Sequence, residues 1–203
     1  MLKQLAVIAL LGMSASTMAG EWQVKVGGSV VSPTGDTKTA LGTFKADYEY
    51  AFTPSVEYLF NDNISAELLL ATPISHAVLL DNQTVLKIKQ LPPTLTAKYH
   101  FKNSSAFTPY IGVGGVAFIP WDESERGAVK GLGAKIHVKE DYGFAGQIGF
   151  NFQPADAKNW RVFFDARYAQ ISPEVTLNDS LGGGKFDLDI DPMIYTLGYS
   201  YKF

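Results

Sequence analysis

The sequence predicts an all-β fold, an eight-stranded antiparallel up-and-down transmembrane β-barrel. Apolar or aromatic side chains alternate with polar or small ones over eight separate segments, the pattern of strands with two different faces. Short and long connections between these segments alternate along the chain. Aromatic residues make up 13% of the chain and glycines number 19, a composition more typical of β-rich chains than of helical bundles.

The N-terminus predicts export. Lys3 precedes an apolar run from Leu5 to Met13, and the small residues Thr17 and Ala19 stand at the −3 and −1 positions of a secretory cleavage site. A membrane anchor is the alternative, but the run is shorter than the ~20 apolar residues that a spanning helix needs. We therefore assign residues 1–19 to a cleaved signal peptide and residues 20–203 to the barrel.

The alternating segments justify the individual strands. They are residues 21–30, 47–60, 63–72, 91–101, 110–119, 141–152, 160–171 and 195–203. In the first, Trp22 and Val24 share one face of the strand and Gln23 and Lys25 share the other. Segment 110–119 is rich in glycine and apolar on both faces, so the sequence leaves its facing open. A closed sheet of such strands bonds every backbone group internally, as lipid requires.

The connections predict how the strands are arranged in the membrane. Three are tight, at 61–63, 102–107 and 153–159, and four are longer, at 33–46, 73–89, 120–140 and 172–188. Because they alternate, all tight turns lie at one rim of the barrel, together with both termini, and all long loops lie at the other. This asymmetry is typical of barrels in the Gram-negative outer membrane, with short periplasmic turns and long extracellular loops.

The polar face of the strands predicts the lining of the barrel. A soluble barrel with its apolar face inside is the alternative. A lipid-facing apolar wall fits better, because aromatic residues near strand ends suit the girdles at the membrane interface. The girdle candidates are Trp22, Phe60, Phe101, Phe152, Trp160 and Phe203. The predicted lumen-lining residues are Glu57, Glu67, Leu69, Lys98, His100, Gln147, Asp165 and Arg167.

The chain resembles the outer membrane protein W family over most of its predicted mature length. The stretches that carry the resemblance are AELLLATPISH (66–76), LPPTLTAKYHF (91–101), PYIGVGGVAF (109–118), DARYAQI (165–171) and DIDPMIYTLGYSYKF (189–203). The resemblance implies a small barrel with a narrow, partly hydrophobic lumen that passes small apolar molecules, since alkane-uptake proteins are relatives. It also implies that barrel-assembly machinery recognises the C-terminal strand ending in Phe203.

Three prolines predict a lateral exit from the barrel. An eight-stranded barrel is only wide enough for side chains, so the polar lumen residues would plug it. Pro73, Pro92 and Pro93 lie in the loop-side half of one hairpin, and each removes a donor from the strand ladder. We expect an opening in the wall beside them, lined by Leu69. The alternative is that these prolines end the ladder where the hairpin leaves the membrane.

Together these patterns predict an outer-membrane channel for passive uptake of small hydrophobic molecules, which enter at the loop rim and leave laterally into the bilayer. A structural or adhesive barrel whose loops bind partners is the alternative, and an acyl enzyme in the lumen or at the rim is a third. The formal charge of −3 and the lack of a Lys/Arg run argue against nucleic acid. With no cysteine and three histidines at no metal-ligand spacing, we expect neither metal nor cofactor, and we predict no catalytic residues.

Overall fold

The computed structural model describes most of the chain after the predicted signal peptide. The described residues are 20–39, 42–70, 72, 74–80, 83–125, 130, 131, 133 and 135–203. The predicted signal peptide and Pro73 lie outside them. None of the described residues belongs to a helix long and apolar enough to cross a membrane.

Strands dominate the described part of the chain. Their bounds are β1 Glu21–Ser32, β2 Asp36–Thr39, β3 Gly42–Ala46, β4 Glu49–Phe52, β5 Ser55–Leu59, β6 Ile64–Leu69, β7 Ile74–Leu80, β8 Gln83–Leu91, β9 Thr94–His100, β10 Phe107–Glu125, β11 Ile136–Val138, β12 Asp141–Phe152, β13 Trp160–Ala169, β14 Glu174–Leu177, β15 Gly184–Asp187 and β16 Met193–Lys202. A single 3₁₀ turn at Asp179–Leu181 separates β14 from β15.

Eight of these strands close into an antiparallel barrel, which confirms the predicted fold class. The order around the barrel, within the described residues, is β1, β5, β6, β9, β10, β12, β13 and β16. The last strand returns to the first, with Gln23 opposite Lys202 and Ser32 opposite Met193. Strands that are neighbours around the barrel also follow one another along the chain, so the topology is up-and-down. The three tight turns therefore lie at the same rim as the start of β1 and the end of β16.

The four long connections are not loops in the sense that the sequence predicted. Between 33 and 46 the chain forms β2 and β3, between 73 and 89 it forms β7 and most of β8, and β14 and β15 lie within 172–188. β10 itself continues to Glu125 and pairs there with β8. These segments are strands because their apolar side chains pack together above the barrel. The sequence did not predict β8 because its alternation of apolar and polar residues is interrupted. Val85 and Leu86 are adjacent and both buried, since a β-bulge lies beside them.

The outer wall is apolar and aromatic, whereas the inner face of the lower barrel is polar. Tyr142, Phe144 and Tyr199 are between 62% and 78% exposed on the outside. The facing of β10, which the sequence left open, is settled by burial: Tyr110 is 1% exposed and points inward, while Val113 is 70% exposed and points outward. The wall is therefore two-faced in β10 as in its neighbours.

Candidate functional site

A network of buried polar side chains fills the half of the lumen next to the tight turns. Glu57 lies at the centre of one half of this network. Its main partner is Lys98, whose Nζ donates to Glu57 Oε2 at 3.0 Å. Neither side chain is exposed to solvent. Ser65 Oγ donates to Glu57 Oε1 at 2.5 Å, and His100 Nε2 lies 3.0 Å from the same oxygen. Each side chain comes from the inward face of a different strand, or from alternate positions of one strand.

Glu67 lies at the centre of the other half of the network and connects the two halves of the barrel wall. Lys98 Nζ donates to its Oε2 at 2.8 Å and Gln147 Nε2 donates to the same oxygen at 3.3 Å. Arg167 Nη2 lies 3.8 Å from this oxygen, and Arg167 Nε lies 3.7 Å from Asp165 Oδ1. The structure thus places all seven predicted polar lining residues inside the barrel and connects them in one network.

Sequence reasoning missed three members of this network, Lys25, Ser65 and Tyr110. Lys25 Nζ lies 3.1 Å from Glu67 Oε1, and Tyr110 donates its hydroxyl proton to Asp165 at 2.9 Å while its ring lies 4.0 Å from Lys98 Nζ. The alternation of the first strand already placed Lys25 on the polar face, so a signal for it existed. No such signal existed for Tyr110, because both faces of its segment are apolar. We call Lys25, Glu57, Ser65, Glu67, Lys98, His100, Tyr110, Gln147, Asp165 and Arg167 the polar plug.

Charges within the polar plug balance. Lys25, Lys98 and Arg167 carry three formal positive charges, and Glu57, Glu67 and Asp165 carry three negative ones. All six are at most 3% exposed, so each cation depends on nearby carboxylates rather than on water. The plug therefore leaves a polar solute neither open space nor a net charge to follow through the lower barrel.

Above the polar plug the interior becomes apolar. Sixteen buried side chains from the upper barrel and the extended connections form one cluster, which we call the apolar vestibule. Its members are Phe44, Val78, Val85, Leu86, Ile88, Val116, Phe118, Ile136, Val138, Ala145, Ala169, Ile171, Val175, Leu177, Leu188 and Ile190. A cavity of about 10 Å³ lies in its upper part. That volume is close to the minimum for a single water molecule, so the side chains of the vestibule are closely packed.

Among the described residues, no ladder pair joins the third and fourth wall strands at the level where vestibule and plug meet. The ladder between the third and fourth wall strands pairs Leu69 with Thr94 and resumes, farther up, with Ile74 opposite Gln90. We call the wall between these two pairs the lateral gap. On one side of it Pro92 and Pro93 have no backbone N–H to offer.

Backbone groups on the other side of the lateral gap turn away from it. The N–H of Leu70 donates to the carbonyl of Pro54 at 2.8 Å, and that of Thr72 donates to the carbonyl of Phe52 at 2.9 Å. Phe52 is the last residue of β4, and Pro54 lies between β4 and β5. Leu69 is 6% exposed at the lower edge of the gap, where the sequence predicted an apolar lining residue. Pro73, the third proline of the predicted exit, lies outside the described residues.

Neither a metal site nor a catalytic triad emerges from the described residues. No group of three or more metal-ligating side chains comes together in that part of the chain. Ser65, His100 and Glu57 are in mutual contact, but Nε2 of the histidine faces both Ser65 Oγ at 2.9 Å and Glu57 Oε1 at 3.0 Å. A triad instead uses one ring nitrogen for the nucleophile and the other for the carboxylate. The cluster therefore has the geometry of a structural hydrogen-bond network.

Comparison with known proteins agrees with this architecture. The OmpW family matches residues 18–203. The chain is 32% identical to outer membrane protein W of Escherichia coli K12, over 98% of this chain and 96% of that protein. The crystal structure of outer membrane protein OprG from Pseudomonas aeruginosa superposes with a TM-score of 0.81 at 28% identity, covering 93% of this chain and 98% of OprG. The solid-state NMR structure of outer membrane protein AlkL shares the fold, with a TM-score of 0.68 at 23% identity over 95% of this chain and 94% of AlkL.

Proposed function

The chain belongs to the OmpW family of Gram-negative outer-membrane β-barrels, and we propose that it is a passive channel for small hydrophobic molecules. Its solutes enter at the extracellular rim, pass through the apolar vestibule and leave sideways into the bilayer at the lateral gap. Transfer needs no energy input, because an apolar solute is more stable in lipid than in water.

One observation carries this proposal: the interior changes from apolar to polar at the level where the wall is interrupted. An apolar solute that reaches Leu69 finds a charged network below it, and displacing Lys98 or Glu57 would leave a buried charge unpaired. Sideways movement past Pro92 breaks no ladder bond donated by that residue, because proline has no N–H. The sideways route is therefore the less costly one.

Opening of the vestibule is part of the proposed cycle. The vestibule side chains make no hydrogen bonds with one another, so a solute replaces apolar contacts with apolar contacts. A polar solute would lose its hydrogen bonds to water and find no hydrogen-bonding partner among these apolar side chains. Selectivity for apolar molecules then follows from the lining and needs no dedicated binding group.

Uptake into whole cells tests the proposal. Cells that lack the protein and cells that express it are compared for entry of a fluorescent apolar probe and of a sugar of similar size, once heat-modifiable gel migration shows a folded barrel. We expect expression to accelerate entry of the apolar probe alone. Equal acceleration of both would mean an aqueous pore, and no acceleration of either would favour a structural or adhesive barrel.

The lateral gap is tested by restoring its missing donors. A double variant, Pro92→Thr with Pro93→Thr, can extend the ladder across the gap and should slow uptake of the apolar probe several-fold. Pro109→Thr is the matched control, because this proline lies in the wall of β10 near the periplasmic rim. Undiminished uptake by the double variant would sink the lateral route.

We also propose that the C-terminal strand is the segment that barrel-assembly machinery recognises. Phe203 donates its N–H to the carbonyl of Trp22 at 2.9 Å, and its side chain is 71% exposed on the outside of the wall. An unfolded chain would present this aromatic edge before the barrel closes. Phe203→Ala should therefore lower the yield of folded barrel in cells while leaving refolding of the purified protein in detergent unchanged.

A further inference from the structure

Three buried polar groups at the top of the polar plug lack hydrogen-bond partners. Among the described residues, Thr96 Oγ1, Gln147 Oε1, and Nε and Nη1 of Arg167 have no hydrogen-bond partner. These three residues are between 0% and 4% exposed. Buried polar groups in folded proteins are almost always bonded, and leaving one unbonded costs about 1–3 kcal/mol. A partner that is not part of the chain is therefore expected at this place.

These groups surround the same carboxylate, so they lie close to one another. Thr96 is the direct strand neighbour of Glu67, Gln147 Nε2 lies 3.3 Å from Glu67 Oε2, and Arg167 Nη2 lies 3.8 Å from that oxygen. Their unbonded atoms comprise a hydroxyl group, an amide oxygen and a guanidinium edge. A single small group that both donates and accepts hydrogen bonds can bond to them.

Small residues occupy the layer of the lumen wall in which Thr96 stands. Gly114 lies opposite both Thr96 and Ala145, and Ala145 lies opposite Ala169. The next inward residue of β10 toward the extracellular side is Val116, and the corresponding residue of β9 is Thr94, which lies opposite Leu69. Thr94 already donates its hydroxyl proton to the carbonyl of Pro92 at 3.2 Å. The unbonded groups thus form the floor of the vestibule beside the lateral gap.

From this arrangement we infer that the solute is an amphiphile with one neutral hydrogen-bonding head group, such as a medium-chain primary alcohol, bound head-down at Thr96, Gln147 and Arg167. The inference rests on the proposed function and names its substrate class. Its apolar tail lies against Leu69 and the lower vestibule, at Val116 and Phe118. A plain alkane fits the vestibule equally well but leaves the polar groups unbonded.

Charge balance argues for a neutral head group. The plug already pairs three cations with three carboxylates, so an ionised carboxylate or ammonium would bring an uncompensated charge into a buried site. A hydroxyl group adds no charge. It can accept a hydrogen bond from an Arg167 N–H and donate one to the Gln147 carbonyl oxygen, so that both sides find a partner.

NMR titration of the refolded protein in detergent micelles tests the inference. The probes are 1-decanol, n-decane and decanoate, and the signals are the Arg167 Nε–H, assigned through its loss in Arg167→Lys, and the Gln147 side-chain amide. We expect 1-decanol to shift both signals and to half-saturate at about a tenfold lower concentration than n-decane, the effect of one hydrogen bond to a charged group. Thr96→Val should reduce this preference about threefold.

Ser200→Ala is the matched control for Thr96→Val. Ser200 also carries a buried hydroxyl without a hydrogen-bond partner among the described residues, but it lies opposite Lys25 near the periplasmic rim. Its substitution should leave the 1-decanol preference unchanged. An equal loss in both variants would show a general effect of removing a buried hydroxyl and would overturn the assignment to Thr96.

Failure of this inference and failure of the proposed function give different results. The head-group site is overturned if 1-decanol and n-decane half-saturate at equal concentrations. It is also overturned if 1-decanol leaves the Arg167 and Gln147 signals unmoved, because water would then be their only partner. Tightest binding of decanoate overturns its neutrality. If cells still take up n-decane through the protein in any of these cases, the proposed channel function stands. If no probe enters cells through the protein, the channel function fails and this inference with it.

Discussion

At the scale of single residues, the stability of the lower barrel depends on buried ion pairs whose members are costly to separate. Lys98 lies between two carboxylates, 3.0 Å from Glu57 and 2.8 Å from Glu67, with no exposed side-chain surface. Removing one partner from such a buried set is far more harmful than replacing all of them, because the remaining charges lose both water and counter-charge. Substitution of one charged residue of the polar plug therefore destabilises the charged residues that contact it.

Lys98→Met tests this dependence. We expect it to lower the free energy of unfolding by about 3–5 kcal/mol, because Glu57 and Glu67 lose one of the two lysines that both of them contact. Lys102→Met is the control, since Lys102 is partly exposed and lies 4.0 Å from Asp62; its loss should cost less than about 1 kcal/mol. Urea unfolding of both variants in lipid vesicles makes the comparison. Similar losses in the two variants would contradict the central role of Lys98.

Glycine is required at position 112 because side chains of the polar plug lie directly over it. A Cβ added to Gly112 would lie 2.7 Å from Gln147 Cγ and 3.0 Å from Lys98 Cγ, both of which are held in the plug. Gly112→Ala should therefore destabilise the barrel by about 1–3 kcal/mol. Gly146→Ala, where a Cβ meets nothing within 4 Å, should change stability by less than about 0.5 kcal/mol. A thermal melt that ranks the two variants in the opposite order would contradict this packing.

At the scale of elements, strand alternation predicted the wall but not what stands above it. The inward positions of Glu57, Glu67, Lys98 and Asp165 follow from period-two patterning alone. β7, β8, β14 and β15 were predicted as loops, because their apolar residues face one another across segments that are far apart in the sequence. Periodicity within a segment contains no information about such partners. Pro92 and Pro93 lie between the last β6–β9 pair, Leu69 with Thr94, and the first β7–β8 pair, Ile74 with Gln90, and their role as a lateral exit stays a prediction.

Ionic contacts on the extracellular sheet predict a local response to acid. Lys139 and Lys185 donate to Glu174 Oε1 at 2.7 and 3.1 Å, and these hydrogen bonds hold the pKa of the Glu174 carboxyl below its ordinary value of 4.5. Because the pKa is lowered in the folded state, the stabilisation is present above pH 4.5 and is lost as the pH falls through the folded-state value. NMR shifts of the β14–β15 amides should therefore change in that acid range.

Glu174→Gln provides the reference for this titration. Its β14–β15 amides should show the acid-type shifts already at pH 7 and should not change further on acidification, while amides of β12 and β13 stay constant in both proteins. If the β14–β15 shifts of the unsubstituted protein were flat from pH 7 to pH 3, the ion pairs would have no structural role.

At the scale of the whole molecule, the barrel is divided into two compartments by chemistry rather than by a change of fold. The lower lumen is polar and closed, the upper lumen is apolar, and where they meet no ladder pair of the described residues joins the third and fourth wall strands. A sequence reading of the strands predicted the lower compartment through residues such as Lys98 and Arg167. The upper compartment escaped it, because Phe44, Val116, Ile136 and Leu188 join one cluster only after the chain has folded.

This division makes the route of an apolar solute the central claim, and photolabelling follows that route directly. A small alkyl diazirine is irradiated in outer membranes containing the protein, and mass spectrometry maps the labelled residues that face the lumen. We predict labelling at Leu69, Val116 and Phe118, and none at Asn151 and Ser200, which are buried near the periplasmic rim. Labelling of Asn151 and Ser200 at the level of Leu69 would show that the solute passes straight through and would contradict the lateral route.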